Sequence, residues 1–290
     1  EIGDGEEPAK KAIYYHWGLD FGGCEGLVDV LAATDAIVIS AGEHAAVSRA
    51  AEATGLSIIT VPLLGDGSLD LDQLAKILAE AEGNLLVALH WVNNETGVVQ
   101  PMGRINAMVG PTRHTLFVDA VQAFGKRDLD FASSAPDMMA ISGHKIGAPA
   151  GIGALLVKGH CDTVRLVPGG GQEQGRRGGT EAAALIAGFG AACKANADAF
   201  DLERIQALLV DFEARLTDMA PEAMIFGKNA ERIGTVANFA VPGITNTVAM
   251  MALDLAGVGV SSGSACSSGK VGRSHVLSAM GADPELSECG

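Results

Sequence analysis

Lys145 closes the segment Ser142–Lys145, directly after the apolar run Met138–Ile141. An amine facing an apolar cleft beside another cation is pushed below the usual lysine pKa of about 10.4, and the neutral amine is the form that makes a Schiff base with a carbonyl compound. Taken alone, the segment reads equally well as a solvated lysine in a turn. Asp119 ends the run Thr115–Asp119. A carboxylate at such a strand end suits a protonated pyridine nitrogen, which turns the ring into an electron sink for carbanion chemistry; it also suits a helix N-cap. Ser142, His144 and Thr180 are donors of the kind that bind phosphate. Gly169–Gly171, followed by Arg176 and Arg177, adds bare backbone and charge.

Cys266 lies in Ser261–Gly269, a stretch made only of Ser, Gly, Ala and Cys. Such a segment has little to bury, so a mobile loop is expected, carrying a nucleophilic thiol that visits a deep site and returns to the surface. An incidental cysteine in a flexible loop is the alternative, and Cys24, Cys161, Cys193 and Cys289 are left at that reading. His44 falls in the first helical turn after the run Ala36–Ser40. A helix N-terminus disfavours the imidazolium, which suits a neutral base, although a lone histidine there also serves as a cap or a surface residue.

These residues require a scaffold that brings strand ends together. Ala36–Ser40, Ser57–Pro62, Leu85–Trp91, Thr115–Asp119, Met138–Ile141 and Gly153–Val157 are short apolar runs bounded by turn residues, and helical patterns separate the early ones. That alternation predicts an α/β fold whose mainly parallel sheet is covered by helices. One helix runs from about Glu43 toward Gly55. Another is capped by Asp70, with Gln73 three residues on and Leu71, Leu74, Ile77 and Leu78 as its buried stripe. From Thr180 to about Ala220 the pattern is helical, with a break near Asp198–Asp201. Met224–Phe226, Val236–Val241 and a helix over Asn246–Gly257 suggest a smaller α+β C-terminal domain. The expected division is residues 1–35 unassigned, 36–215 the large domain and 216–290 the small one. In an open parallel sheet, ligands bind beyond the carboxyl ends of the strands, where His44, Asn94, Asp119, Gln122, Ser142, His144 and Lys145 all fall.

Composition narrows the function classes. The 290 residues are 48% apolar and 19% charged, as in a globular protein. A net charge of −15 without a basic run argues against nucleic acid or anionic lipid as a partner. Five cysteines at irregular spacing, with no CxxC pair, fit a reducing cytoplasm and no structural metal site. The apolar stretch Val236–Val260 is broken by Asn238, Pro242, Gly243, Asn246 and Asp254, so no membrane span is expected. The first residues lack the pattern of a signal peptide.

Seven motifs in register from about residue 36 onward complete the reading: Glu43-His44, His90–Gly97, Val118–Gln122, Ser142–Lys145, Gly169–Glu173, Arg176–Thr180 and Ser261–Cys266. Together they resemble the group I cysteine desulfurases, the nitrogen-fixation and iron–sulfur-assembly branch of the class V aminotransferase-like, fold-type I enzymes of pyridoxal 5'-phosphate (PLP). The resemblance implies that Lys145 forms the Schiff base, that Asp119 partners the pyridine nitrogen, and that Gln122 and Asn94 lie around the phenolic oxygen and the substrate. It implies that His44 stacks over the ring and moves protons. Ser142 and His144 would hold the phosphate, with Thr180 contributed by the neighbouring subunit of a homodimer. Cys266 would take the sulfur of L-cysteine as a persulfide and leave L-alanine, passing sulfur to an acceptor or cluster scaffold protein in the cytoplasm. Selenocysteine lyase, or a non-catalytic desulfurase-like scaffold, is the alternative. Members of the family begin with a Ser-Gly-x-Thr-Glu phosphate loop, which residues 1–35 do not contain. They continue beyond the position of Gly290 with a strand carrying an arginine for the substrate carboxylate. The expectation is that these 290 residues alone hold PLP poorly.

Overall fold

The computed structural model describes residues 12–15, 33–131, 136–161, 169–262 and 273–289. Its frame is a seven-stranded sheet in the order β1-β7-β6-β5-β4-β2-β3, comprising β1 (Ala12–Tyr15), β2 (Ala36–Ser40), β3 (Ser57–Val61), β4 (Leu85–His90), β5 (Thr115–Asp119), β6 (Met138–Ser142) and β7 (Gly153–Val157). Strands β2 to β6 are mutually parallel, whereas β7 pairs antiparallel with β6 and β1 antiparallel with β7. All six residues of the central β4 are buried, as an unbroken apolar run in a sheet covered on both faces requires. The two-residue period of the strands sorts their side chains into two cores. Val38, Val87, Leu89, Val118, Met139 and Ile141 lie in one, and Ile37, Ile39, Leu86, Ala88, Phe117, Met138 and Ala140 in the other.

The chain leaves β2 for β3 on one side, then returns to β4 and continues through β5 and β6 on the other. The direction of strand addition therefore reverses between β2 and β4, and a crevice opens at their carboxyl ends. Helix α1 (Ala45–Ala53) is capped by His44, and α2 (Leu71–Glu80) by Asp70, whose Oδ1 accepts the Gln73 N–H at 2.9 Å. Leu71 and Leu74 are buried as the apolar stripe demands. Helix α3 (Met102–Val109) starts at Pro101 without a side-chain cap and is held by burial of Met102, Ile105 and Val109. The helical stretch after Thr180 divides into α4 (Ala183–Ala199) and α5 (Leu202–Met219), with Asp201 capping the second by accepting Arg204 N–H at 2.9 Å.

Strands β8 (Met224–Ile225) and β9 (Phe239–Ala240) form a separate antiparallel pair, followed by α6 (Asn246–Leu255), α7 (His275–Ala279) and α8 (Pro284–Ser287). This C-terminal part shares its packing with the sheet: Phe226, Ile233, Ala240, Val276, Leu277 and Met280 belong to the same apolar cluster as Val38 and Leu89. Arg232, in the connection between β8 and β9, forms a two-pronged pair with Glu213 of α5 at 2.8 Å through each nitrogen. Cys24 and Cys266, with most of the Ser-Gly loop, lie outside the described residues.

Candidate functional site

Four strand ends build the site. Beyond β2, Ser40 Oγ accepts the Gly42 N–H at 3.1 Å, turning the chain toward Glu43 and His44. His44 Nδ1 accepts the Ala46 N–H at 3.1 Å, so the neutral ring carries its one proton on Nε2. This refines the expected base: in the capping tautomer, assigned here from its hydrogen-bond partner, Nε2 is a donor.

Glu43 is buried, and its Oε1 accepts both the backbone N–H and the Nδ1–H of His90 at 2.8 Å. His90 Nε2 lies 3.2 Å from Gln100 Nε2. Gln100 cannot turn over, because its Oε1 accepts the Leu69 N–H at 2.8 Å and its Nε2 donates to the Gly67 carbonyl at 3.0 Å. The amide NH2 therefore faces His90 Nε2 and favours the ring form with its single proton on Nδ1. Burial works to lower the His90 pKa, but the Glu43 carboxylate, by charge and hydrogen bond, and Asp119 carry it above its ordinary value. The second Glu43 oxygen, Oε2, is buried without a partner among the described residues.

Beyond β4, Asn93 ties the turn Asn93–Gly97 into place. Its Nδ2 donates to the Gly42 carbonyl at 3.1 Å, and its Oδ1 accepts Glu95 N–H at 2.9 Å and Thr96 N–H at 3.0 Å. Asn94 is half-buried in that turn. On β5, Asp119 is paired in register with His90 of β4, and its Oδ1 accepts the Val121 N–H at 2.9 Å. Burial raises the Asp119 pKa; the Val121 hydrogen bond opposes this, Glu43 adds to it, and His44 and His90 draw it back only in part. A cationic donor beside this carboxylate would relieve that cost.

Beyond β6, Lys145 sits half-buried on a short 3-10 turn, Gly143–Ile146. A side chain at Gly143 would meet the Ile152 carbonyl at 2.9 Å, so only glycine lets the turn close against β7. The Ser142 hydroxyl and His144 Nδ1 share a hydrogen bond of 2.8 Å. Gln122, in the turn after β5, accepts the Lys126 ammonium on Oε1 at 2.8 Å. Burial first, then the nearby Lys145 ammonium, brings the Lys126 pKa down to about 8. Thr180 is exposed, and its carbonyl accepts Arg177 Nη1 at 3.3 Å. Arg177 is thus committed to its own loop, with Gly179 O as a second acceptor at 2.9 Å.

The structure thus gathers His44, Asn94, Asp119, Gln122, Ser142, His144 and Lys145 at one edge of the sheet, with Thr180 on an outer loop. Sequence reasoning had assigned no role of their own to Glu43, His90, Gln100 and Lys126. Cys161 and Cys193 are poorly suited to act as nucleophiles: burial first, then Asp137, pushes the Cys161 thiol up to about 11 against Lys158, and burial also raises Cys193. The segment after the Ser-Gly loop docks onto the site's own loops. Ser274 Oγ donates to the buried Glu95 carboxylate, and His275 Nε2 donates to the Glu43 carbonyl at 2.8 Å. Among the described residues, no cluster of three or more His, Cys, Asp or Glu side chains is placed to hold a metal ion.

Comparison with known proteins places this arrangement. The family described as aminotransferase class-V matches residues 24–280, and the chain belongs to that family. It is 35% identical over 251 residues to a cysteine desulfurase of Sinorhizobium fredii, covering 84% of this chain and 64% of that protein. It is 33% identical over 249 residues to the cysteine desulfurase NifS of Azotobacter vinelandii, covering 84% of this chain and 61% of the relative. The chain thus spans somewhat under two thirds of the length of these relatives. Among solved structures, a NifS-like protein from Rickettsia africae superposes with a TM-score of 0.85 at 28% identity, covering 96% of this chain and 74% of that one. DndA from Streptomyces lividans superposes at 0.75 with 28% identity, covering 96% and 81%.

Proposed function

We propose that this chain carries the PLP site of a cysteine desulfurase that converts L-cysteine to L-alanine and holds the sulfur as a persulfide on Cys266. The observation that supports it most is the placement of Asp119 and Lys145 at the ends of adjacent parallel strands, in a family whose similar members include cysteine desulfurases. The residues fit the cofactor. Burial and Glu43 raise the Asp119 pKa, His44 and His90 offset this only in part, and a protonated pyridine nitrogen would supply a further cation beside the carboxylate. When bound, PLP supplies an electron sink for the bonds at the substrate α-carbon.

The chain's own residues divide the remaining work. Lys145 would attach the cofactor through its Nζ, and Asp119 would partner the protonated ring nitrogen. Gln122 and Asn94 flank the phenolic oxygen and the substrate. His44 would cover the ring and offer the proton on Nε2. Ser142 and His144 receive the phosphate, joined by Thr180 of the partner subunit in a homodimer; an outward-facing Thr180 accords with service to a second copy. Cys266 attacks the substrate sulfur as thiolate: the S–S bond forms as the C–S bond breaks, and the electron pair of that bond passes to carbon. Seven residues separate Cys266 from the docked Ser274, and the eight extended steps between them reach at most about 28 Å. From a cytoplasmic homodimer, the persulfide would pass to a sulfur acceptor for iron–sulfur cluster or cofactor assembly.

Borohydride reduction of the PLP-loaded protein, followed by peptide mapping, tests the cofactor assignment. The pyridoxyl group is expected on Lys145, and its appearance on another lysine would refute this account of the β6 strand end. Turnover of L-selenocysteine without turnover of L-cysteine would instead make the protein a selenocysteine lyase.

A further inference from the structure

Lys126 stands outside the roles assigned so far. It lies four residues after Gln122 in a turn where Gly125 takes φ +79° and the Ala123 carbonyl accepts the Lys126 N–H at 3.0 Å. This local winding brings the half-buried Lys126 Nζ to 2.8 Å from Gln122 Oε1. A protonated lysine offers only donors, so the carboxamide oxygen must face it and the NH2 group must face the other way. The oxygen and nitrogen of a carboxamide are usually assigned from whatever surrounds them. Here one partner dictates the answer.

The charged neighbours strengthen the case. Arg127 and Arg232 line a cavity together with Lys126, but Arg127 pairs with Glu231 at 2.6 Å and Arg232 with Glu213. Among the described residues Lys126 has no carboxylate partner, and Gln122 is its hydrogen-bond acceptor. Burial, then the nearby Lys145 ammonium, brings the Lys126 amine down to about 8. A cation kept half-buried at such a cost, bonded to a neutral amide at the edge of the site, calls for a reason.

We propose that Lys126 is a positioning residue that fixes the Gln122 carboxamide with its NH2 group toward the cleft at Lys145, where it donates to the phenolic oxygen of bound PLP. The proposal rests on the cofactor reading above and adds to it the residue that sets the donor. Losing a donor at that oxygen leaves more negative charge to hold the proton that titrates the cofactor's visible absorption band. The midpoint of that titration should therefore rise.

The test is a pH titration of the visible band in the natural protein loaded with PLP, with Lys126→Met, Gln122→Ala and the double variant; Lys126→Ala serves if the methionine variant does not fold. Lys126→Met is expected to raise the midpoint by about 1 unit, the scale of one hydrogen bond to a charged acceptor. In the Gln122→Ala background the same change is expected to add nothing. A simple loss of positive charge near the ring would raise the midpoint equally in both backgrounds, and that result would overturn the proposal, as would an unmoved midpoint in Lys126→Met. Absence of the band from every variant and from the unmodified protein would refute the cofactor reading itself, a distinct outcome.

Discussion

Nδ1 of His44 is committed to the backbone of its own helix, which leaves Nε2 for chemistry. Cap and proton donor can therefore be separated by substitution. His44→Asn keeps a good N-cap, so stability to urea should stay within about 0.5 kcal/mol, while alanine formation should fall by about 100-fold or more. His44→Ala should lose activity to the same extent and about 1 kcal/mol of stability as well. Normal turnover by the asparagine variant would remove His44 from proton transfer. Lys126 carries a pH signature of its own. Its pKa is near 8 in the folded chain against an ordinary 10.5, so the unfolded state binds more protons between those values and stability rises across that window. Lys126→Met should thus stabilise the protein below pH 8 by about 1 kcal/mol, discounted for partial solvent exposure. The gain should fade toward pH 10.5 in urea titrations. Asp119 and Lys145 were legible in the sequence because each ends an apolar run whose edge position follows from the period of the strand. The Glu43–His90–Gln100 chain was not. His90 was absorbed into the run Leu85–Trp91, and Glu43 meets it across 47 residues, a pairing fixed only by the register of β2 beside β4.

The turn after β4 and the docked start of α7 hold the site by local geometry. Asn93 satisfies donors and acceptors of two loops at once. Asn93→Ala should cost about 3 kcal/mol and weaken PLP binding, measured by urea denaturation and cofactor titration, because several buried backbone groups lose their partner. Ser274 both caps α7, accepting the Leu277 N–H at 3.1 Å, and donates to buried Glu95. Ser274→Ala should destabilise by about 2 kcal/mol and slow sulfur release while leaving the PLP band in place. An unchanged rate would mean that anchoring the segment after Cys266 is irrelevant to its chemistry. Helices with polar caps, such as the one after Asp70, could be read from sequence. Helix α3 could not, since Pro101 gives no side-chain cap and its burial depends on the sheet beneath. Strand β1 has only four residues and gains its place by pairing with β7, and the expected run Val236–Val241 keeps only Phe239–Ala240 as strand. Each of these depends on a partner distant in sequence.

Across the molecule, the two cores on either face of the sheet make a rigid floor, and the C-terminal part shares one of them. Shared packing of Val276 and Leu277 with the strands explains how the start of α7, far along the chain, comes to lie against Glu43 and Glu95 beyond the ends of β2 and β4. Among the described residues no helix is long and apolar enough to cross a membrane. Under the proposed reading, a phosphate brought to a chain of net charge −15 would depend on local donors such as Ser142 and His144. The central claim is that sulfur leaves cysteine for Cys266 at a site organised by Lys145 and Asp119. It is tested most directly by loading the natural protein with PLP, adding L-cysteine, and following alanine formation together with the mass of each cysteine-containing peptide. The account predicts alanine together with one added sulfur on the Cys266 peptide, and neither in Lys145→Ala. Alanine formed at the normal rate by Cys266→Ser, or sulfur found on another cysteine, would contradict it.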